Sequence, residues 1–453
     1  MKTIATILLA LAPLTLPAQT LTPEIRANAG RLIEASMNSD RVWDRVVYYV
    51  DTYPHRLTGS TMLEESLDWI VQELKKDGFD RIEQMPVRAP HWVRGEESLV
   101  MHAPLRRPLP MLGLGNSVGT GPDGITADVM VVSSFDELNA RAAEAEGRIV
   151  LFNVPFTNYG ATVQYRVLGP DAAAKHGAVA VLVRSVGTYS MQTPHTGTTR
   201  YSGDMPRIPG AAITIEDAEW IARDAARGRT TRVTLRMQAE MKGETLSRNI
   251  IAEIRGSEKP EEIVVFGGHI DSWDVGQGFM DDAGGCFAAW EALLLMKELG
   301  IRPKRTVRLV FWTNEENGLR GAEVYKDSVA ARGELDKHVF AIESDAGVFK
   351  PVGFGFTGSD AAFTAITEIG SLLSPIEAGN MRRGGGGADI GPLNRAGAVP
   401  MAGLLVGGDY FRYHHTHSDT VDKHAKEEVQ ACVAAMAVLA YAVADMEAGL
   451  RDL

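Results

Sequence analysis

The chain has 453 residues, of which 45% are hydrophobic and 23% are charged. This is the composition of a folded globular protein, and it excludes a disordered chain, a fibre and a coiled coil. The formal net charge at pH 7 is −12. Because an acidic surface repels phosphate backbones and anionic lipids, neither nucleic acid nor a membrane surface is an expected partner.

The N-terminus has the pattern of an export signal. Lys2 precedes an uncharged apolar stretch, Ile4 to Leu16, and the small residue Ala18 follows it. The stretch is too short to span a bilayer, which takes about 20 residues. We therefore expect a bacterial signal peptide at residues 1–18 and an exported protein, periplasmic or secreted; an uncleaved anchor is the alternative. No other segment of the sequence indicates a membrane span.

Hydrophobic periodicity divides the remaining chain into three stretches. From about 22 to 80, apolar residues recur at helical spacing, as in the series from Leu63 to Leu74 that ends at Gly78, and they predict helices. From about 98 to 240, short apolar runs between Gly and Pro turns predict a strand-rich module with a few helices. From about 247, strands alternate with helices, which predicts a mostly parallel sheet covered on both faces.

These stretches predict an α/β protein of two domains. One domain is split, with residues 20–97 and 245–453 forming a doubly wound, mostly parallel sheet with helices. The other is a strand-rich insert at residues 98–244. The two cysteines, Cys286 and Cys432, lie in the apolar helical patterns of the first domain. Free buried thiols are therefore favoured over a disulfide between them.

Polar clusters follow four predicted strands of the split domain. The strands are Ile263–Phe266, Val307–Trp312, Val339–Ile342 and Met401–Val406. The clusters contain His269, Asp271, Asp281 and Asp282; Glu315 and Glu316; Asp345; and His414, His415, His417 and Asp419. In open α/β sheets, ligands bind beyond the carboxyl ends of the strands. The four strand ends would therefore bring His, Asp, Glu, Asp and His to one crevice.

The types of side chain in this crevice indicate zinc. Imidazole nitrogen and carboxylate oxygen, without thiolate, suit Zn²⁺ with an open position for water. Five such ligands are too many for one tetrahedral zinc that keeps a water. They suit two zinc ions that share one carboxylate and one hydroxide, and two neighbouring metals stabilise both the nucleophile and the developing oxyanion.

The order of these clusters resembles a known family. The pattern His-x-Asp, Asp-Asp-x-x-Gly, Glu-Glu, Asp and His-Thr-x-x-Asp-Thr is similar to that of zinc exopeptidases with co-catalytic dizinc sites, which include bacterial leucyl aminopeptidases and glutamate carboxypeptidase relatives. The stretch from His269 to Gly278 is the most specific part, and further similar stretches run through the whole chain after the signal. The resemblance implies that the insert is a protease-associated-like domain beside the cleft.

The resemblance also implies a role for each candidate ligand. His269 and Asp345 would hold one zinc, Glu316 and His415 the other, and Asp281 would bridge the two. Asp282 is the alternative bridge, and the family pattern implies a cis peptide bond between Asp281 and Asp282. His415 is preferred to its neighbours His414 and His417 because it stands four residues before Asp419.

Two further carboxylates have expected catalytic roles. Glu315 resembles the family's general base, which takes a proton from the zinc-bridging water and returns one to the leaving amine. Asp271 stands two residues after His269. On a strand end that spacing returns its side chain to the same side, where its carboxylate is expected to accept the other ring N–H of His269.

A glycine-rich loop, Gly384–Gly387, lies in the same domain. Family analogy puts this loop near the substrate, with Gly387 and Asp389 at the cleft and Arg382 pairing with a peptide carboxylate; a solvated surface loop is the alternative.

The expected activity is exopeptidase hydrolysis of dipeptides or short peptides with a free terminus, by a homodimer. A single-zinc glutaminyl-peptide cyclase and a non-catalytic receptor-like module are the alternatives, and retention of all five ligands and Glu315 disfavours both.

Overall fold

The helices and strands of the computed structural model lie within residues 21–453, the part of the chain that the structure describes. The helices are α1 Pro23–Met37, α2 Arg41–Thr52, α3 Thr61–Asp77, α4 Phe135–Ala140, α5 Tyr159–Thr162, α6 Gln164–Ala174, α7 Ile215–Ala226, α8 Gly284–Glu298, α9 Arg320–Ala331, α10 Asp360–Gly370, α11 Gly391–Gly397, α12 Tyr410–Tyr413 and α13 Lys426–Asp445. The strands are β1 Arg81–Val93, β2 Glu97–Ala103, β3 Arg107–Leu109, β4 Met111–Gly113, β5 Ile125–Val132, β6 Ile149–Phe152, β7 Ala180–Arg184, β8 Gly210–Ile213, β9 Arg232–Met237, β10 Glu240–Ile254, β11 Lys259–His269, β12 Arg305–Trp312, β13 His338–Glu343, β14 Pro351–Thr357, β15 Asn380–Arg383 and β16 Met401–Val406. The predicted signal peptide at residues 1–18 lies outside the described residues.

The described strands form two eight-stranded sheets. The first sheet has the order β1-β10-β12-β11-β13-β16-β14-β15, and the second has the order β3-β2-β9-β5-β6-β7-β8-β4. In the first sheet β12, β11, β13 and β16 are parallel neighbours, and antiparallel strands flank them on both sides. The mixed α/β class predicted from the sequence is confirmed, and the parallel part of the sheet is its centre.

Both faces of the first sheet are buried. On β11, Val264 and Phe266 pack into a cluster that contains the apolar sides of α1, α8 and α13, whereas Ile263 and Val265 pack into a second cluster with α9 and α11. Successive side chains of a strand point to opposite faces, so a strand covered on both sides has to be apolar throughout. This explains why the strands here are unbroken apolar runs.

Helix α13 is the one described helix that is long and apolar enough to cross a membrane by length and composition. The sequence had indicated no span in this region. In the structure 89% of its apolar stretch is buried inside the protein, and the helix packs against α1 and α8. The apolar stretch of α13 therefore belongs to the protein core.

The antiparallel pair β1 and β10 connects the two sheets. The pairing runs from Arg81 with Glu253 to Val93 with Glu240, and every strand of the second sheet lies between these two strands in the sequence. Trp92 at the end of β1 packs with Trp273, and both belong to the apolar cluster of the second sheet. The second sheet is thus packed directly against the chain that follows β11.

The predicted elements agree with those observed. The helical stretch before residue 80 forms α1 to α3, and α3 begins at the Ser60 cap, whose hydroxyl accepts the N–H of Leu63 at 3.1 Å, and ends at Gly78 with φ of 69°. These are typical start and stop signals of a helix. The four predicted strands form β11, β12, β13 and β16. Their carboxyl ends lie at one edge of the sheet, and this edge carries the site.

Candidate metal centre

The side chains of the candidate site follow the ends of the parallel strands, as the sequence indicated. His269 is the last residue of β11, Glu315 and Glu316 follow β12, and Asp345 follows β13. Asp281 lies in the irregular turn Phe279–Ala283, just before α8, and His415 follows α12. The structure brings these side chains together at one edge of the first sheet.

Asp281 stands between two histidines. Its Oδ1 lies 3.1 Å from His269 Nε2, and its Oδ2 lies 3.3 Å from His415 Nε2. Asp345 Oδ1 lies 3.4 Å from the same nitrogen of His269, and Glu316 Oε2 lies 3.1 Å from the same nitrogen of His415. The five residues therefore form two groups, each of one histidine and one terminal carboxylate, with Asp281 common to both.

The donor set fits metal ions. Asp281 Oδ2 and Glu316 Oε1 are buried and accept no hydrogen bond from any residue of the described chain. Buried carboxylate oxygens without a donor are costly unless a cation satisfies them. Nitrogen and oxygen ligands from neutral imidazole and carboxylate are those of zinc sites. The predicted zinc-ligand chemistry is therefore consistent with this cluster.

The residues considered as alternatives to Asp281 and His415 do not occupy the corresponding positions in the site. Asp282 Oδ2 accepts the backbone N–H of His269 at 3.2 Å and is not shared between the two histidine rings. His414 Nε2 lies 3.8 Å from Asp281 Oδ2, and its ring stacks on that of His415 with centroids 3.5 Å apart. His417 is exposed. The peptide bond between Asp281 and Asp282 is cis, as the family pattern implied.

Asp271 contacts the site differently from the prediction. The expectation was that its carboxylate accepts the ring N–H of His269, but the acceptor at 3.0 Å from His269 Nδ1 is the backbone carbonyl of Asp271. The carboxylate lies farther away, at 3.9 Å. Instead Oδ1 accepts the backbone N–H of Glu315 at 3.0 Å, and Oδ2 accepts that of Glu316 at 3.4 Å.

The carboxylates of the site have displaced pKa values. Burial raises the pKa of Glu315 to about 8, and the negative charges of Asp345 and Asp271 add to the rise. Burial also acts to raise the pKa of Asp281, but the hydrogen bond from His269 and the nearby ring of His415 hold this pKa well below its usual value. Neighbouring carboxylates with pKa values pushed apart are typical of catalytic sites.

Asp419 is a residue of the site for which no role was predicted; it served only to select His415, which stands four residues before it. Its Oδ1 accepts the backbone N–H of Met280 at 2.7 Å, and its Oδ2 accepts that of Asp281 at 3.2 Å. The side chain is 4% exposed. Asp419 therefore fixes the main chain that carries the shared carboxylate, and its place in the His-Thr-x-x-Asp-Thr pattern was the available signal.

A cavity of about 680 Å³ opens beside these residues. On one side it is lined by Asp281, Glu315, Glu316, Asp345, His414 and His415. On the other side it is lined by residues between the strands of the second sheet, among them Tyr159, Arg166 and Arg200. The cavity thus lies between the candidate metal centre and the second sheet.

Among the residues lining this cavity there is none of the glycine-rich loop Gly384–Gly387, but Ala388, which follows the loop, is one of them. Gly387 lies against Glu343, because a Cβ built at Gly387 would be 2.1 Å from the Glu343 carboxylate. Asp389 is 1% exposed, and neither of its carboxylate oxygens has a partner in the described chain. Arg382 is exposed on the edge strand β15. The structure therefore does not bring Arg382 or Asp389 to the cavity surface.

The sequence is similar to known peptidases. The model of peptidase family M28 matches residues 249–440. Carboxypeptidase Q of Homo sapiens is 46% identical over 429 residues, which cover 93% of this chain and 90% of the relative. Carboxypeptidase Q of Bos taurus is 47% identical, covering 90% of this chain and 86% of the relative.

The chain belongs to peptidase family M28. The predicted class of zinc-dependent exopeptidases is thereby confirmed. A solved M28 peptidase precursor from Shewanella amazonensis has a TM-score of 0.89 and 33% identity, covering 94% of this chain and 98% of that chain. A zinc aminopeptidase of Bacillus subtilis, with a TM-score of 0.68 and 19% identity over 91% of this chain and 97% of that chain, shares the fold of this M28 peptidase.

Proposed function

We propose that this M28 peptidase is an exported exopeptidase that binds two Zn²⁺ and hydrolyses dipeptides or short peptides with a free terminus. The observation that supports it most is the position of Asp281, with one oxygen near His269 and the other near His415. His269 and Asp345 would hold one ion, Glu316 and His415 the other, and Asp281 both. Zinc bound there would polarise the scissile carbonyl and lower the pKa of a water.

In this proposal the chain's own residues carry the proton transfers. Glu315 lines the cavity, and it takes a proton from the attacking water and gives one to the leaving amine. Burial disfavours the charged form of the Glu315 carboxyl and raises its pKa above the ordinary value, which favours uptake of a proton from water. Asp271 holds the backbone of Glu315 in place, and Asp419 does the same for Asp281.

The domain arrangement is part of the proposal. We assign residues 20–97 and 245–453 to a doubly wound peptidase domain, and residues 98–244 to a protease-associated-like insert (the insert). The insert walls one side of the cavity through residues such as Tyr159 and Arg166. We assign Gly387 and Asp389 a supporting role behind the cavity wall at Ala388, because neither lines the cavity. We further propose a homodimer, and export directed by the signal peptide at residues 1–18.

Metal analysis together with peptide hydrolysis tests the function. The purified protein should contain two zinc ions per chain and cleave unblocked dipeptides, and EDTA should abolish the activity until zinc is restored. The same dipeptides with an acetylated amino end or an amidated carboxyl end identify the terminus that is required. Full activity of the metal-free protein, or cleavage of doubly blocked peptides at the same rate, would contradict the proposal.

A further inference from the structure

A segment of the insert runs along the chain that carries His415. The segment comprises residues 187–199, between β7 and β8, and we call it the clasp segment. Its Thr188 donates a backbone N–H to the carbonyl of Phe411 at 3.3 Å and its hydroxyl to Asp409 Oδ1 at 2.8 Å. Near its other end, the backbone N–H of Thr196 donates to the carbonyl of His415 at 3.0 Å. The insert thus contacts the loop of a proposed metal ligand at three points.

Thr196 contacts the imidazole ring of His415 as well as its main chain. The carbonyl oxygen of Thr196 lies 3.3 Å from His415 Nδ1, on the side of the ring opposite to Asp281 and Glu316. A histidine that donates Nδ1–H to a carbonyl keeps the lone pair of Nε2 free for a metal, and its orientation is fixed. Thr196 itself is fully buried, and its hydroxyl donates to the carbonyl of Gly113 at 2.7 Å.

The backbone of His415 needs such support. Its φ is 60°, in the left-handed region that residues with a Cβ rarely adopt. Conformations of this kind persist where the surroundings impose them, and they cluster at functional sites. The ring of Trp273 packs edge-on against the ring of His415, with centroids 5.5 Å apart. The insert and the chain after β11 therefore enclose His415.

Arg166, on α6 of the insert, supports the same carbonyl. Its Nη1 donates to the carbonyl of Thr196 at 3.1 Å and lies 3.4 Å from His415 Nδ1, and its Nη2 donates to the hydroxyl of Tyr159 at 3.0 Å. The residue is 4% exposed and forms no ion pair with a carboxylate of the described chain. A Cβ at Gly197 would lie 2.1 Å from Nη1 and 2.2 Å from Cζ of Arg166, so the guanidinium packs directly on this glycine.

We infer that the clasp segment is a positioning element of the metal centre, with Thr196 orienting His415 and Arg166 holding the Thr196 carbonyl. The inference rests on the proposed role of His415 as a ligand, and it deepens that role. The ring of His415 is oriented by the insert, whereas the ring of His269 is oriented by the carbonyl of Asp271 within the peptidase domain. Loosening the clasp segment therefore weakens one metal position and leaves the other intact.

The test uses Gly197→Ala in the full-length protein, because the added methyl group displaces Arg166 and the Thr196 carbonyl. Gly203→Ala is the matched control, since Gly203 lies in the same loop with φ of 92° and a Cβ there would meet nothing within 4 Å. Arg166→Gln and its conservative partner Arg166→Lys provide a second pair. Each protein is titrated with Zn²⁺ and with Co²⁺, and the cobalt absorption spectrum and the dissociation constant of each ion are measured.

We expect Gly197→Ala and Arg166→Gln to raise the dissociation constant of one of the two ions about 10- to 100-fold, the usual effect of losing the support of a metal ligand. The cobalt spectrum of that ion should change, the other ion should be unaffected, and Arg166→Lys should recover part of the loss. Wild-type affinity for both ions in both variants would overturn the inference, and so would equal weakening of the two ions. In these titrations, a wild-type protein that binds a single ion would contradict the proposed function itself.

Discussion

Asp271 accepts the backbone N–H of Glu315 at 3.0 Å, and its side chain is completely buried. The sequence predicted that this carboxylate contacts His269, but in the structure it accepts a hydrogen bond from the main chain of Glu315, the proposed base. Its other oxygen lies 3.4 Å from the N–H of Glu316, so one buried side chain positions both glutamates that follow β12. The backbone carbonyl of the same residue accepts from His269. Asp271 thus links the two strand ends that supply the proposed base and one proposed ligand.

Glu315→Gln tests the proposed base. The amide keeps the shape of the side chain but cannot carry a proton from water to the leaving amine, and general base catalysis contributes about 10²- to 10⁴-fold to rate. We expect kcat to fall within that range while two zinc ions remain bound, as measured by dipeptide hydrolysis and metal analysis. Glu316→Gln is the comparison, because it should lose metal as well. An unchanged kcat in Glu315→Gln would exclude the role.

Asp271→Asn tests whether Asp271 acts through Glu315. An amide oxygen accepts fewer and weaker hydrogen bonds than a carboxylate, so the two glutamate N–H groups are held less firmly. We expect kcat to fall about 10- to 100-fold with zinc content unchanged. The double variant with Glu315→Gln should be no slower than Glu315→Gln alone, because residues that act as a unit are non-additive. Fully additive losses would show that Asp271 acts elsewhere.

The choice among three histidines is tested by alanine substitution at each. His415 Nε2 lies 3.1 Å from Glu316 and 3.3 Å from Asp281, whereas His414 Nε2 lies 3.8 Å from Asp281 and His417 is exposed. We expect His415→Ala to reduce the zinc content from two ions to one. His414→Ala and His417→Ala should retain two, with His417→Ala as the surface control. Loss of zinc in His414→Ala but not in His415→Ala would reverse the assignment.

The site was more predictable than the contacts around it. Strand ends predicted that these polar clusters meet, because parallel neighbouring strands place their carboxyl ends at one edge of a sheet. The resemblance to zinc exopeptidases selected His269, Asp281, Glu316, Asp345 and His415 from the clusters as the candidate ligands. The same spacing misjudged Asp271, since the position of a residue on a strand end does not decide whether its carbonyl or its carboxylate meets the neighbouring ring. Asp389 was expected at the cleft, but Ala388 lines the cavity and Asp389 is buried behind it.

Contacts between the two sheets could not be predicted. The pairing of Thr196 with His415 joins residues 219 positions apart, and it depends on how the second sheet packs on the first. The stretch Pro194-His-Thr-Gly197 is one of those that resemble the family, but it has no hydrophobic periodicity that would place it beside His415. Local patterns determine helices, strands and strand ends, whereas packing between two sheets is set by apolar residues such as Trp92 and Trp273, whose partners lie far away in the sequence.

The two cysteines give a prediction about covalent structure. Cys286 and Cys432 are both buried and free, and the thiol of Cys432 donates to the carbonyl of Phe349 at 3.2 Å. Burial raises the pKa of both thiols, and the thiolate is the reactive form. We expect a thiol reagent to label neither cysteine in the folded protein and both after denaturation without reductant. Failure to label either one in the denatured protein would indicate a disulfide.

Stability in acid should depend on His338, a buried histidine on β13. Its Nδ1 donates to the carbonyl of Glu334 at 2.8 Å, and its Nε2 lies 2.9 Å from the hydroxyl of Tyr325. Burial, together with the positive charge of Arg308, lowers the pKa of His338 to about 3, whereas in an unfolded chain it is about 6.5. Between these two values the unfolded chain binds the extra proton, so the stability of the folded state falls as the pH falls below about 6.5.

His338→Gln removes this proton uptake. At pH 7.5 we expect the variant to be less stable than the wild type, because the amide replaces two well-placed hydrogen bonds imperfectly. Toward pH 4.5 the difference should shrink by about 3 kcal/mol. The wild type loses this much stability over the two pH units below about 6.5, because its unfolded chain takes up a proton at His338, and the variant does not. Urea unfolding of the metal-free proteins across this pH range measures the effect without a contribution from metal loss. The same substitution at exposed His102 is the control, and a constant difference between His338→Gln and the wild type at all pH values would contradict the assignment.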